Sequence, residues 1–242
     1  MKSRIKGYYN ENYGCGMANS IIEFFECENS TCKLRFPIYD GQLKSKRCPL
    51  CRSSLISVAT IDSQFEGDLK PQVEIGWQVE AILDNIRSAW NVGSIFRTAD
   101  GTGIRKLYLC GITPTPQNTK VSKTALGAEV NVSWEHENNS LLLASRMQTN
   151  GYQLWALEDT REAVPLFESE YEPEGKPVVL IAGNEVCGVD PGLLAISDRV
   201  LSIPMFGNKQ SYNVAVAFGM AVSFLVYRHR VGQGSRNIFP ST

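Results

Sequence analysis

Four cysteines near the start of the chain form two close pairs. Cys27 and Cys32 have four residues between them, fifteen follow, and Cys48 and Cys51 have two between them. Two pairs separated by a loop let four thiolates converge tetrahedrally on one Zn²⁺. Such a site has no open coordination position, so its metal is structural and activates no water. Cys48-Pro-Leu-Cys51 also has the spacing of a thioredoxin-type redox pair, but that motif belongs between a strand and a helix of a larger βαβ fold. Cys15 lies twelve residues before Cys27, and its spacing leaves it outside the ligand set. Lys33, Arg35, Lys44, Lys46, Arg47 and Arg52 surround the ligands, with Phe24, Phe25, Phe36 and Tyr39 interleaved. That mixture suits phosphates and stacked bases of a nucleic acid, or equally a solvated basic face over a small aromatic core.

Further chemistry must come from beyond this cluster, where three constellations combine polar side chains with turn residues. The first, residues 84 to 103, holds Asp84, Asn85, Arg87, Asn91, Gly93 and Arg97 where a strand gives way to a helix. A helix N-terminus binds anions, and the reading places Arg97 one turn inside it, within reach of the same phosphate. The second is an apolar run, Val178 to Ala182, ending in Gly183-Asn184-Glu185-Val-Cys-Gly188. The third runs from Leu201 through Ile203, Pro204 and Met205 to Gly207, followed by Ser211-Tyr212-Asn213.

Several alternatives are excluded on the same residues. Gly101-Thr-Gly103 lacks the third glycine of a dinucleotide fingerprint and falls at the end of a helix. Gly183 to Gly188 has the glycine spacing of a phosphate loop, but Val189 stands where lysine is required. The two histidines, His136 and His229, sit in no motif, and Cys187 has no evident base beside it.

The elements that must position these residues alternate in type. Extended runs are expected at Val79 to Leu83, Lys106 to Ile112, Tyr152 to Leu157, Val178 to Ala182 and Val200 to Ile203. Helices are expected from about Gly93, at 119–126, 138–149 and 190–196, and over Ser211 to Arg228. Short apolar runs without alternation mark strands covered on both faces, and helix-length spacers imply parallel connections. The last helix carries Val214, Ala217, Phe218, Ala221 and Leu225 at helical spacing, and Val216, Met220 and Phe224 widen the face. So broad a face fits burial within one domain or contact with a second subunit.

With 242 residues, 43% hydrophobic and 20% charged, the chain can bury a real core. The formal net charge of −1 excludes a generally basic nucleic-acid-coating protein but not a local basic patch. The apolar run Val214 to Tyr227 is too short to span a bilayer, and no apolar stretch follows the charged N-terminus. A cytoplasmic location, with reduced cysteines, is expected. The expected layout is a small zinc-ribbon-like, RNA-binding domain over 1–65, a linker over 66–75, an α/β domain over 76–230 and a mobile tail over 231–242.

Taken together, in this order and spacing, the three constellations resemble the sequence motifs of the SpoU/TrmH branch of the SPOUT RNA methyltransferases. The resemblance covers about residues 77 to 230, and Lys123-Thr-Ala-Leu-Gly127-Ala-Glu129 is similar to that family's connecting segment. It implies an α/β fold with a five- or six-stranded, mainly parallel sheet and a deep C-terminal trefoil knot. It further implies S-adenosylmethionine as donor, a ribose 2′-hydroxyl of tRNA or rRNA as acceptor, and a homodimer with active sites near its interface. The family's functional residues fall on Asn91, Arg97, Glu185 and Asn213, and its cofactor contacts on Leu157, Gly183, Ile203, Met205, Ser211 and Tyr212. Tyr212 departs from the leucine common at its position. Arg97 is expected to clamp phosphate and stabilise a developing alkoxide, since guanidinium stays protonated near neutral pH. A base role for it would need an unusual shift. The rival from another class is a non-catalytic RNA-binding or RNP-assembly protein that keeps the fold.

Overall fold

The computed structural model describes residues 20–39, 45–63, 78–168 and 175–232. They fall into two compact units, one within residues 1–72 and the other within 73–242. Cys15, Lys44 and the expected linker lie outside the described residues, as does the tail from 233 onward.

The first unit is a three-stranded antiparallel sheet in the order β2-β1-β3, built from β1 (Ser20–Cys27), β2 (Arg35–Tyr39) and β3 (Leu55–Ser63). Among its described residues the buried hydrophobic ones are few, Cys27, Ile38 and Cys48. So small a core needs a staple.

The second unit runs β4 (Val79–Asp84), α1 (Ala89–Thr102), β5 (Lys106–Cys110), α2 (Thr119–Ala125), α3 (Ala128–Asn131), β6 (Ser133–Glu137), α4 (Ser140–Thr149), β7 (Gln153–Leu157) and β8 (Val164–Pro165). It continues through β9 (Val178–Ala182), α5 (Pro191–Ile196), β10 (Arg199–Ser202) and α6 (Val214–Gly232). The sheet order is β6-β5-β4-β9-β7-β10-β8, and every pairing is parallel. Among the described residues seven strands stand where five or six were expected. The additions are β8, two residues long, and β6, whose Ser-Trp-Glu-His-Glu composition suits a half-exposed edge rather than a covered strand.

Strands β4 and β9 are buried along their whole length, and alternate residues feed two cores. Ala81, Leu83, Leu180 and Ala182 pack with Val92, Phe96, Phe218 and Ala221 of α1 and α6. Ile82, Val179 and Ile181 pack with Leu143, Met147 and Leu193 of α4 and α5. The result is a sheet covered by helices on both faces.

Helix α1 begins four residues earlier than expected, because Ser88 caps it, accepting the Asn91 amide on its hydroxyl at 3.3 Å. Arg97 is therefore its ninth residue, more than two turns inside rather than one. Gly93 lets α1 and α2 touch, since a Cβ there would fall 2.6 Å from both Thr124 Cβ and the Val121 carbonyl oxygen.

Candidate active site

The loops leaving the carboxyl ends of β7, β9 and β10 surround one cavity, the usual place for a ligand on a parallel sheet. The loop after β9 sets its form. A Cβ on Gly183 would fall 2.3 Å from the Val189 amide nitrogen, so the chain doubles back on itself there. Asn184 Oδ1 accepts the Val186 and Cys187 amides at 2.9 and 3.1 Å, and paired backbone bonds join Asn184 to Gly188. Asn184 Nδ2 also donates to the Asn85 carbonyl at 2.6 Å, which pins the loop to the end of β4.

This folding aims Glu185 at the start of α1. Its Oε2 accepts the Arg87 amide at 2.8 Å, while Oε1 accepts the Ser88 amide at 3.0 Å and Asn91 Nδ2 at 2.8 Å. Partial burial pushes this carboxyl upward, but the bonds from Arg87, Ser88 and Asn91 outweigh it and hold the group below its ordinary range. The anion at this helix start is thus the protein's own carboxylate, Glu185, where a phosphate was expected.

Asn91 continues the connection. Its Oδ1 accepts from Asn213 Nδ2 at 3.0 Å, and Asn213 Oδ1 accepts the Ala215 and Val216 amides at the start of α6. Three residues from three separate motifs, Glu185, Asn91 and Asn213, form one hydrogen-bonded chain joining the β9 loop, α1 and α6.

The cavity beside them holds about 430 Å³. Leu157, Gly183, Ile203, Met205, Ser211 and Tyr212, the residues expected to hold a cofactor, all line it, as do Glu185 and Asn213. Asn91 reaches it through its two partners. Arg97 is exposed on α1 and does not line the cavity. It stands six residues, about 9 Å of helix rise, beyond Asn91. Sequence reasoning missed Glu158 and Asp159, which add two carboxylates to the wall. Their signal was an acidic pair directly after an apolar strand. Glu158 Oε2 accepts the Val189 amide at 2.8 Å and ties the β7 and β9 loops together. His136 bonds to the Gly111 carbonyl on the edge of the sheet, and neither it nor Cys187 lines the cavity.

In the first unit the sulfurs of Cys27, Cys32, Cys48 and Cys51 all lie within 4.8 Å of one another. Cys27 and Cys51 are 3.4 Å apart, and Cys32 and Cys48 3.8 Å. Four sulfurs about 2.3 Å from a tetrahedral Zn²⁺ would be about 3.8 Å apart, so the cluster has the dimensions of a zinc site.

Residues 78–223 match the family model described as the SpoU rRNA Methylase family. The chain belongs to this family. Among curated relatives, the tRNA (guanosine(18)-2′-O)-methyltransferase of Aquifex aeolicus is 32% identical over 152 residues, 62% of this chain and 69% of that enzyme. Other curated relatives are matched over 56% to 64% of their own length. The solved TrmH/SpoU tRNA modifying enzyme of A. aeolicus superposes with a TM-score of 0.57 at 30% identity, covering 65% of this chain and 77% of that one. An AdoMet-bound rRNA methyltransferase from Sinorhizobium meliloti gives a TM-score of 0.57 at 26% identity, covering 64% and 56%. The parallel sheet described above is the SpoU fold, and the matched stretch holds every residue of the hydrogen-bonded chain and the cavity wall. No described helix is long and apolar enough to cross a membrane.

Proposed function

We propose that this protein transfers a methyl group from S-adenosylmethionine to a ribose 2′-hydroxyl of a tRNA or rRNA. The observation that carries the reading is the junction of Glu185, Asn91 and Asn213 at the edge of a cavity lined from all three connecting loops.

The residues present suit the donor. Leu157, Ile203, Met205 and Val214 offer apolar walls for an adenosine, and the volume falls in the range of small-molecule sites. Glu158 and Asp159 offer negative charge to a cationic sulfonium and amino group. When bound, S-adenosylmethionine supplies a methyl carbon activated by its positive sulfur.

The roles of the chain's own residues follow from their surroundings. Glu185 is a poor base, because three donors occupy its carboxylate and hold it ionised. It positions α1 and the β9 loop. Asn91 and Asn213 carry that constraint to α6. Arg97, exposed on α1, meets an RNA phosphate, fixes the target ribose and favours the alkoxide form of its 2′-oxygen. Four cysteinates hold a structural zinc in the first unit, whose exposed cations contact RNA. The chain acts as a homodimer through α6.

The test incubates the purified protein with methyl-labelled S-adenosylmethionine and RNA from cells lacking the gene, then maps new 2′-O-methyl positions by their resistance to alkaline cleavage. Labelled ribose in tRNA or rRNA is expected. S-adenosylmethionine that fails to bind while RNA binds would favour the non-catalytic RNA-binding rival.

A further inference from the structure

The second cysteine of each pair in the first unit sits on a turn of the same form. In one, the Lys33 amide donates to the Asn29 carbonyl at 3.0 Å; in the other, the Arg52 amide donates to the Cys48 carbonyl at 3.0 Å. Each bond spans four residues and closes a single helical turn that goes no further. Each turn ends in a left-handed residue directly after the second cysteine of its pair, Lys33 with φ 44° and Arg52 with φ 67°.

Glycine adopts this conformation freely and asparagine at little cost, whereas in other residues the Cβ crowds the carbonyl oxygen. Both positions nevertheless carry a cation. The metal centre alone does not ask for one, because an exposed cation at a right-handed position nearby would offset the thiolate charge as well. Strain kept at matching places points to what the side chains do.

Their surroundings leave both cations available. Lys33 and Arg52 are exposed, and neither is in an ion pair among the described residues. Lys46 and Arg47, also exposed, precede the third cysteine, and Arg47 Nη1 donates to the Arg52 carbonyl at 3.3 Å. The remaining described cation of the unit, Arg35, is occupied on the sheet by Glu26 at 3.3 Å. Among the acids, Glu23 accepts from Ser57 on the sheet, and Glu28, just before the first turn, is exposed.

We propose that Lys33 and Arg52 are a paired phosphate grip, each cysteine turn presenting one cation to the sugar–phosphate backbone of the RNA substrate. The inference rests on the reading of the chain as an RNA methyltransferase and names the residues by which the first unit would hold that RNA. Contacts of this kind carry no sequence information, so they add affinity and salt dependence and leave selection of the ribose to the second unit.

The test uses the purified full-length protein, with unfractionated tRNA as probe, in filter binding over a series of KCl concentrations. A Lys33→Gly/Arg52→Gly variant removes both charges and relieves both turns. It is expected to melt no lower than the wild type and to keep its metal content. Its tRNA affinity should fall about tenfold, and its log K against log salt should be shallower by about 1.5, two phosphates' worth. A Lys33→Asn/Arg52→Asn variant provides a second charge-free pair suited to the same backbone. Lys33→Arg/Arg52→Lys, which keeps both charges, should bind within about twofold of wild type. Unchanged affinity and salt slope in the glycine and asparagine variants would overturn the proposal and leave the cations as partners of the metal centre's own charge. Calorimetric titration with S-adenosylmethionine reads the other site separately: if the donor fails to bind while the salt slope drops, the methyltransferase reading fails and the grip stands.

Discussion

Asn91 donates its side-chain amide to Glu185 Oε1 at 2.8 Å and so joins positions 94 residues apart in the chain. Glu185 also accepts two backbone amides at the start of α1, so one carboxylate fixes a helix, a loop and one wall of the cavity. Fixing all three before substrate arrives is the kind of preorganisation that positioning-limited reactions need.

The pH dependence of this junction has a definite sign. A carboxyl held below its ordinary value of 4.5 contributes stability that is present above that value and is lost as pH falls through the lowered one. Hydrogen exchange of the Arg87 and Ser88 amides should therefore show constant protection near neutrality and falling protection below about pH 4.5. Glu185→Gln turns a donor toward one of these amides, so it should lower their protection at all pH values and flatten the acid limb. An acid limb unchanged in Glu185→Gln would assign it to another group.

Much of this arrangement is legible in the sequence, and the part that is not has a physical reason. Val178 to Ala182 announces a doubly covered strand by composition, and all five residues are buried. Cys27, Cys32, Cys48 and Cys51 announce their cluster by spacing alone, since a tetrahedral ion tolerates few arrangements. The early start of α1 is also written there, in Ser88, a capping residue five positions ahead of Gly93. Strand β6 escaped because an edge strand needs no apolar run. The partner of Glu185 could not be read at all: periodicity reports a residue's own element, and a bond across 97 positions depends on the order of strands in the sheet.

The first unit should depend on metal. Elemental analysis is expected to find about one zinc per chain, and a strong chelator or acid that protonates the thiolates should melt this unit, whose described core is small. Cys27→Ser should do the same while the second unit keeps its cooperative unfolding, since each unit has its own core. Zinc-free protein with Cys48 and Cys51 joined by a disulfide would refute the metal reading.

Association through α6 is expected from its outer face. Phe218, Ala221, Val222 and Leu225 are buried against the sheet, whereas Val216 and Tyr227 are each more than half exposed and Phe224 stacks edge-on with the exposed Phe167 at 5.2 Å. Exposed apolar side chains on a helix whose other face is already buried suit contact with a second subunit. Light scattering should give a dimer mass at micromolar concentration, and Val216→Glu should shift it toward the monomer. A wild-type monomer would rule the interface out.

Arg97 and Gly183 should separate catalysis from donor binding. Arg97 is exposed and outside the cavity wall, so Arg97→Ala should leave calorimetric affinity for S-adenosylmethionine nearly unchanged. Single-turnover methyl transfer should nevertheless fall roughly a hundred- to thousand-fold, about 3 to 4 kcal/mol, the usual cost of losing a preorganised charge at the transition state. Arg97→Lys should recover little, because a point charge does not reproduce a bidentate hold on phosphate. Gly183→Val should act in the opposite order. Its Cβ would lie 2.3 Å from the Val189 nitrogen and 2.4 Å from the Gly188 carbonyl carbon, both backbone atoms, so the loop must open. Opening it disturbs the cavity wall and withdraws Glu185 from α1, so donor affinity is lost first and transfer with it. Full transfer activity in Arg97→Ala would remove that residue from the chemistry.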